Sequence, residues 1–266
     1  MNKAPMYAES NSEQLTAASK FFNYFGEFIK SKFENKEVKL LDIGCGDGKI
    51  LCDVIIKESK LKFCKIIGTD KSVEMIKFAK EKYRNVSASF DIMDVETEIP
   101  TNLKDQQFDM ITSFYCLHWI KDMKNALQNI YKLLNSNGIF CCIFLQSTKV
   151  QDIWDTLAIK YPLYMNDWRK HYTSLWSSEN DNSIQKYLED CNFKIIEFRD
   201  LKNERYEFVD LQIYSKMMES VNLNLDLMPE NVQTEFLKDQ MHELSLTKEG
   251  DSYVIPLRLM YFIAEK

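Results

Sequence analysis

Leu41-Asp-Ile-Gly-Cys-Gly-Asp-Gly48 is the stretch on which the reading of this chain turns. A short apolar lead and one acid run into glycine at every second position, Gly44, Gly46 and Gly48, three of the seven glycines in the chain. Glycine gives up more entropy on folding than any other residue, so such a cluster marks backbone that must take positive φ or approach a ligand closely. A strand feeding a glycine-rich turn and then a helix makes a cradle for a nucleotide cofactor. The spacing D-x-G-x-G-x-G differs from the G-x-G-x-x-G dinucleotide fingerprint. A tight strand-to-helix turn without a ligand is the plainer alternative.

Working outward, apolar runs and amphipathic stretches alternate. Asn11 to Phe33 predicts a helix, with Leu15, Ala18, Phe22, Phe25 and Ile29 at three- and four-residue steps. Strands are expected at Lys39 to Ile43, Cys64 to Thr69, Ser87 to Met93, Phe108 to Phe114 and Ile139 to Leu145, with helices at Gly48 to Glu58, Lys71 to Tyr83 and Asp122 to Leu134. Asp122 suits a helix N-cap, and Gly138 suits the left-handed position after a helix. This alternation predicts an α/β fold: a doubly wound, mostly parallel seven-stranded sheet with helices on both faces. Residues 1–37 read as an N-terminal helical lid and 38–146 as the nucleotide-binding core. Residues 147–192 and 210–250 read as substrate-cap helices, including one helix over Ile153 to Met165. Residues 193–209 and 251–266 read as strands that complete the sheet, the former as two pieces, Phe193 to Phe198 and Glu204 to Val209.

Composition narrows the class. The 266 residues carry a formal net charge of −6, with 45% hydrophobic residues and 17 Phe, 13 Tyr and 12 Met for a core. An acidic chain with lysines interspersed among acids does not suit nucleic acid. No run approaches a membrane span, and the opening residues lack the basic-then-apolar pattern of a leader. Seven cysteines and three histidines show no metal-ligand spacing, so no metal is expected. Reduced, mostly buried thiols in a cytoplasmic protein are the expectation. A homodimer is left open.

Acids recur where the predicted strands end. Asp42 could take an ammonium group, Asp70 both hydroxyls of a ribose, and Asp94 an exocyclic amine, with the Val95 amide beside it for a ring nitrogen. Ser113 ends the fourth strand, at the topological switch point where ligands of open α/β sheets bind. Any one of these could be a loop cap; their joint placement with the glycine run favours a site.

With those residues in place, the layout resembles the class I S-adenosylmethionine (SAM) methyltransferases. The resemblance implies SAM as cofactor and S-adenosylhomocysteine as product, held by Asp42, Gly44, Cys45, Gly46, Asp70, Lys71, Met75, Asp94, Val95 and Ser113. Ser113-Phe-Tyr-Cys-Leu-His-Trp119, the later Ala126-Leu-Gln-Asn-Ile-Tyr-Lys-Leu-Leu134, Tyr7 with Ser12 and Gln14, and the closing strand Tyr253 to Ala264 narrow it further. They are similar to the insect juvenile hormone acid O-methyltransferases. That family esterifies farnesoic acid or juvenile hormone acid at its carboxylate. The resemblance therefore implies a hydrophobic small acid as partner, with Gln14 and Trp119 as its grip, His118 near the methionine end of the cofactor, and Tyr115, Trp168, Tyr172 and Trp176 along the substrate. Where the family tends to read Ile-Ser-Pro-Tyr, this chain has Thr173-Ser-Leu-Trp176. A trans-aconitate-like or fatty acid substrate stays open, as does a SAM-binding partner protein without turnover. Core packing is the lesser alternative for Trp119, whereas Trp168, Tyr172 and Trp176 could equally be core residues of the cap, and Gln14 a surface polar residue.

Overall fold

A computed structural model of the chain describes residues 3–171, 183–244 and 247–266. Helix α1 (Ala4–Ser10) and helix α2 (Ser12–Lys32) precede strand β1 (Glu37–Ile43). A π-helical turn, Ile50–Ile55, runs into α3 (Ile56–Glu58), and β2 (Lys62–Asp70), α4 (Val73–Lys82) and β3 (Ser89–Ile92) follow. Next come α5 (Thr101–Lys104), β4 (Phe108–Phe114), a 3₁₀ turn at Leu117–Trp119, α6 (Met123–Leu133) and β5 (Leu134–Thr148). The second half holds α7 (Val150–Lys160), α8 (Pro162–Met165), α9 (Ser183–Asp190), β6 (Lys194–Phe208), α10 (Leu211–Val221), α11 (Glu230–Glu243), β7 (Thr247–Glu249) and β8 (Ser252–Glu265).

The strands bond in the order β3-β2-β1-β4-β5-β8-β6, with β7 a short addition on β8. Pairs from β3 through β5 are parallel, whereas β8 runs antiparallel to both β5 and β6. The expected doubly wound sheet is present, with β7 as an eighth strand that the sequence pattern did not suggest. Period-two alternation splits its side chains between two cores. Leu40, Met110 and Cys141 join one core with Phe21 and Phe25 of α2, and Leu41, Ile111 and Cys142 join the other with Leu127 and Ile130 of α6. Burying each such large side chain contributes roughly 1.5–3 kcal/mol. The Tyr261 hydroxyl donates to the Ala17 carbonyl at 3.0 Å and ties α2 to β8.

Capping follows local rules. The Asp122 carboxylate accepts from the Asn125 amide at 3.0 Å at the start of α6, and Ser72 and Asp210 cap α4 and α10. The expectation for Gly138 needs correction. The left-handed residue is Asn137 (φ 62°), and Gly138 lies inside β5. A Cβ there would sit 2.9 Å from the Asn135 carbonyl oxygen and 3.1 Å from that of Phe108, so glycine serves close approach rather than handedness.

Two further differences have local causes. The helix expected over Ile153 to Met165 breaks at Tyr161, because Pro162 offers no amide hydrogen and restricts the residue before it. The two strand pieces expected in residues 193–209 are one bulged strand, β6. Its charged middle is carried by an edge position and by a bidentate pair in which Arg258 donates to Asp200 at 2.8 and 2.6 Å. No helix among the described residues is long and apolar enough to cross a membrane.

Candidate functional site

The C-terminal ends of β1, β2 and β4 converge on the glycine run. Gly44, Gly46 and Gly48 all take positive φ, at 73°, 55° and 80°. The Gly44 and Cys45 amides both donate to the Thr69 carbonyl, at 2.7 and 2.9 Å, which folds the loop back over β2. A Cβ on Gly44 would lie 2.3 Å from Cys116 Sγ, whereas one on Gly46 would meet only the Tyr7 ring, at 3.7 Å. Gly44 is thus required by packing, and Gly46 leaves its space open.

Asp70 holds this loop. Its carboxylate accepts from the Gly46 amide at 3.0 Å and from the Ser72 amide at 2.8 Å. Burial pushes its pKa up, and those two backbone hydrogen bonds oppose the shift. Asp70, Lys71, Asp94 and Val95 together line a cavity of about 640 Å³, with Met93 and Ile120 as apolar walls. The Asp94 carboxylate also accepts from the Glu96 amide at 3.0 Å. Carboxylates for hydroxyls beside flat apolar walls for a base suit a nucleoside.

Asp42 sits deeper. It is buried, accepts from the Thr112 hydroxyl at 2.6 Å, and lines a small cavity behind the loop with Cys45, Gly46, Asp47 and Tyr7. Burial pushes its pKa from 3.8 up to about 7, and the nearby Asp70 adds to the rise. A carboxyl whose pKa is raised on folding stabilises the fold fully below about pH 4 and loses that contribution as pH climbs through 7. Asp42→Asn should therefore gain thermal stability over the unmodified protein between pH 4 and 7, with a constant advantage above. Thermal denaturation across that range checks it; a constant difference at every pH would remove Asp42 as the titrating group.

A second cavity, of about 670 Å³, opens on the other side of Tyr115 and Trp119, which line both. Tyr115 is buried with φ 58°, a strained value for a bulky residue, and its amide donates to the Ile143 carbonyl at 2.9 Å. Gln14 and His118 also face this cavity. Gln14 is buried; its amide nitrogen donates to Met217 Sδ at 3.4 Å, and its amide oxygen has no partner among the described residues. Burial holds His118 near pKa 3, so the ring is neutral at any working pH. Apart from Thr148, the rest of the lining is apolar or aromatic, from Tyr7, Leu145, Val150, Trp154, Tyr206, Tyr214, Met217, Met218, Val221 and Ile255, and no lysine or arginine lines it among the described residues.

The expected residues thus fall into groups. Asp70, Lys71, Asp94 and Val95 share one cavity with Gly44, Asp42 and Cys45 stand behind the loop with Gly46, and Gln14, Tyr115, His118 and Trp119 meet at the second cavity. Three residues lie elsewhere. Met75 is fully buried, lines neither large cavity, and gives its amide to the α4 cap. The Ser113 hydroxyl donates to the Ile43 carbonyl at 3.0 Å and pins β4 to β1. Trp168 sits behind Trp154, ring centroids 5.3 Å apart, and donates to Asp155 at 3.2 Å. Tyr172 and Trp176 lie outside the described residues.

Sequence reasoning missed Asp47 and Asn11. Asn11 donates to buried Asp47 at 3.3 Å, and Lys49 bridges to the Asn11 side chain and the Ala8 carbonyl, each at 3.1 Å. This ties the α1–α2 junction to the glycine loop. The expectation of substrate-cap helices over residues 210–250 names none of the α10 residues that form the wall of the second cavity, although Tyr214, Met217, Met218 and Val221 recur there at helical spacing. Among the described residues, no cluster of three or more His, Cys, Asp or Glu could hold a metal.

Comparison with known proteins agrees with this layout. A family model described as a methyltransferase domain matches residues 34–187. The juvenile hormone acid O-methyltransferase of Bombyx mori is 31% identical over 90% of this chain and 84% of its own length. That of Drosophila melanogaster is 29% identical over 100% of this chain and 93% of its own. Among solved structures, the YcgJ protein of Bacillus subtilis superposes with TM-score 0.56 at 17% identity, covering 92% of this chain and 98% of that one. The [4+2]-cyclase SpnF does so with 0.55 at 13%, covering 92% and 80%. The shared fold includes a cyclase, so activity must be argued from the site.

Proposed function

The chain belongs to the methyltransferase-domain family and is a homologue of the juvenile hormone acid O-methyltransferases, and from that premise we propose that it esterifies a hydrophobic small acid, farnesoic acid or a juvenile hormone acid, using SAM. The observation that carries this reading is the pair of cavities meeting at Tyr115 and Trp119, one with carboxylates and a nucleoside-sized recess, the other apolar with Gln14 in its wall.

SAM, when bound, supplies an electrophilic methyl group on a cationic sulfur and leaves as S-adenosylhomocysteine. Asp70 and Asp94 would hold the ribose and adenine, the Val95 amide would assist, and Asp42 would hold the ammonium end. The acceptor needs no base, because a carboxylic acid with a pKa of about 4.3 is already ionised at neutral pH. His118, neutral and buried, is therefore not required to move a proton. The task of the protein is to orient one carboxylate oxygen, and positioning of this kind contributes on the order of 7–11 kcal/mol in well-oriented intramolecular systems. The second hydrogen on the Gln14 amide nitrogen, the Trp119 indole N–H and the Tyr115 hydroxyl are the donors we assign to that oxygen and its twin. The apolar wall accepts the hydrocarbon and excludes water.

With no lining cation among the described residues, the cavity does not suit a polyanion such as trans-aconitate. Radiolabelled methyl transfer should be measured against farnesoic acid, juvenile hormone acids, a linear fatty acid and trans-aconitate. The isoprenoid acids should be the best substrates by kcat/KM. Preference for the tricarboxylate, or no transfer to any acid, would overturn the proposal. All seven cysteines are unpaired, which supports a cytosolic site of action.

A further inference from the structure

Helix α10 serves as a ruler along the substrate cavity. Its C-terminal residue, Val221, lines that cavity, and Leu223 just beyond it lines the cofactor cavity. Going back along the same stripe, Met218 and Met217 come next, the latter touching Gln14. Tyr214 follows, seven residues before Val221 and still lining the cavity. At 1.5 Å per residue, Tyr214 stands about 10 Å farther along the helix from the cofactor side than Val221 does.

The Tyr214 hydroxyl is anomalous. The residue is fully buried, and its oxygen has no hydrogen-bond partner among the described residues. Its ring is held in place by Phe208, with centroids 5.1 Å apart. A buried hydroxyl without a partner is costly, and native structures keep one where something else completes it. Gln14, another polar group left incomplete in this wall, belongs to the carboxylate end. Tyr214 has no such assignment, and its neighbours along the cavity face of α10 are Met217, Met218 and Val221.

We propose that Tyr214 is a specificity-determining residue whose hydroxyl donates a hydrogen bond to an oxygen carried on the hydrocarbon tail of the substrate, remote from its carboxylate. The chemical class is an apolar acid bearing one acceptor oxygen, an epoxide, ether or ketone, on its hydrocarbon tail, about one helical turn beyond the Met217 level at which Gln14 meets the carboxylate. This rests on the carboxyl-methylation reading and adds a second recognition point to it. A site built to hydrogen-bond a substrate oxygen discriminates against the analogue that lacks it, because its own polar group is then left unpaired.

The test compares Tyr214→Phe with the unmodified protein on two acids, farnesoic acid and its terminal epoxide, with initial rates taken at saturating SAM. The unmodified protein should favour the epoxide. Tyr214→Phe should lower kcat/KM for the epoxide about five-fold more than for farnesoic acid, mostly through KM. The ligand-free variant should melt at the same temperature as the parent or higher, since it loses an unpaired hydroxyl. An equal loss on both acids would mark a structural role and overturn the assignment, as would an unchanged ratio between them. Turnover of neither acid by the unmodified protein would overturn the carboxyl-methylation reading along with it, whereas turnover of both with an unaltered ratio would overturn this inference alone.

Discussion

Gly44→Ala will abolish cofactor binding and lower the melting temperature by about 6–12 °C. The number comes from two independent costs. At φ 73° a residue with a Cβ occupies the left-handed region, at a cost of about 1–2 kcal/mol. The new Cβ would also stand 2.3 Å from Cys116 Sγ and 2.4 Å from Cys116 Cβ. The sulfur could rotate away, but the Cβ is fixed by the backbone, so one chain must move. Together these reach about 3 kcal/mol or more, and each kcal/mol shifts a chain of this size by about 2–4 °C. Displacing the loop also breaks the paired donations from Gly44 and Cys45 to Thr69 and the Gly46 contact with Asp70. Thermal denaturation and isothermal titration with SAM measure both effects. Adding Cys116→Ala should not rescue the variant, because its Cβ remains, whereas Cys116→Gly should recover the steric part and leave the backbone cost. A Gly44→Ala protein with parental melting temperature and affinity would show that the cradle is not built as described.

Gln14→Ala will cut methyl transfer by about 10- to 100-fold while SAM affinity stays within a factor of two or so, the range expected for one hydrogen bond to a charged group. Gln14 lines only the substrate cavity, so cofactor binding should not report its loss. Trp119→Phe keeps an aromatic wall between the cavities but removes the indole N–H, and should lower kcat/KM in the same direction. Steady-state kinetics with each substrate varied separately distinguishes these from general damage. If both variants turn over at the parental rate, the carboxylate is held by other groups.

How legible these parts were depends on how local their causes are. The Gly44–Gly48 turn, the Asp122 cap and the acids that end β1 and β2 follow from short windows, and sequence alone placed them. The adjacent Cys141 and Cys142 enter opposite cores as alternation requires. The substrate cavity has no such window. Its wall gathers Gln14 from α2, Leu145 from β5, Tyr206 from β6, Tyr214 from α10 and Ile255 from β8, which only the tertiary fold brings together. Trp168 shows the converse. Aromatic density near residue 168 suggested a pocket lining, yet the indole is satisfied by Asp155 and backs Trp154, which is the ring that meets the cavity. Asn137 in place of Gly138 reflects the tolerance of asparagine for the left-handed region, where glycine is the default guess.

Helix α10 connects the two cavities to the N-terminal helices. Its inner stripe walls the substrate cavity, and Leu223, just past its end, lies over the cofactor cavity. At its other side it is joined to α1 by Lys3–Glu219 and Lys216–Glu9, while the α1–α2 junction is fastened to the glycine loop through Asn11 and Asp47. One short stretch, Val221 to Leu223, therefore borders both chambers. A shift of α10 on occupancy of one chamber would be felt in the other, and the affinities of the two would then be thermodynamically linked.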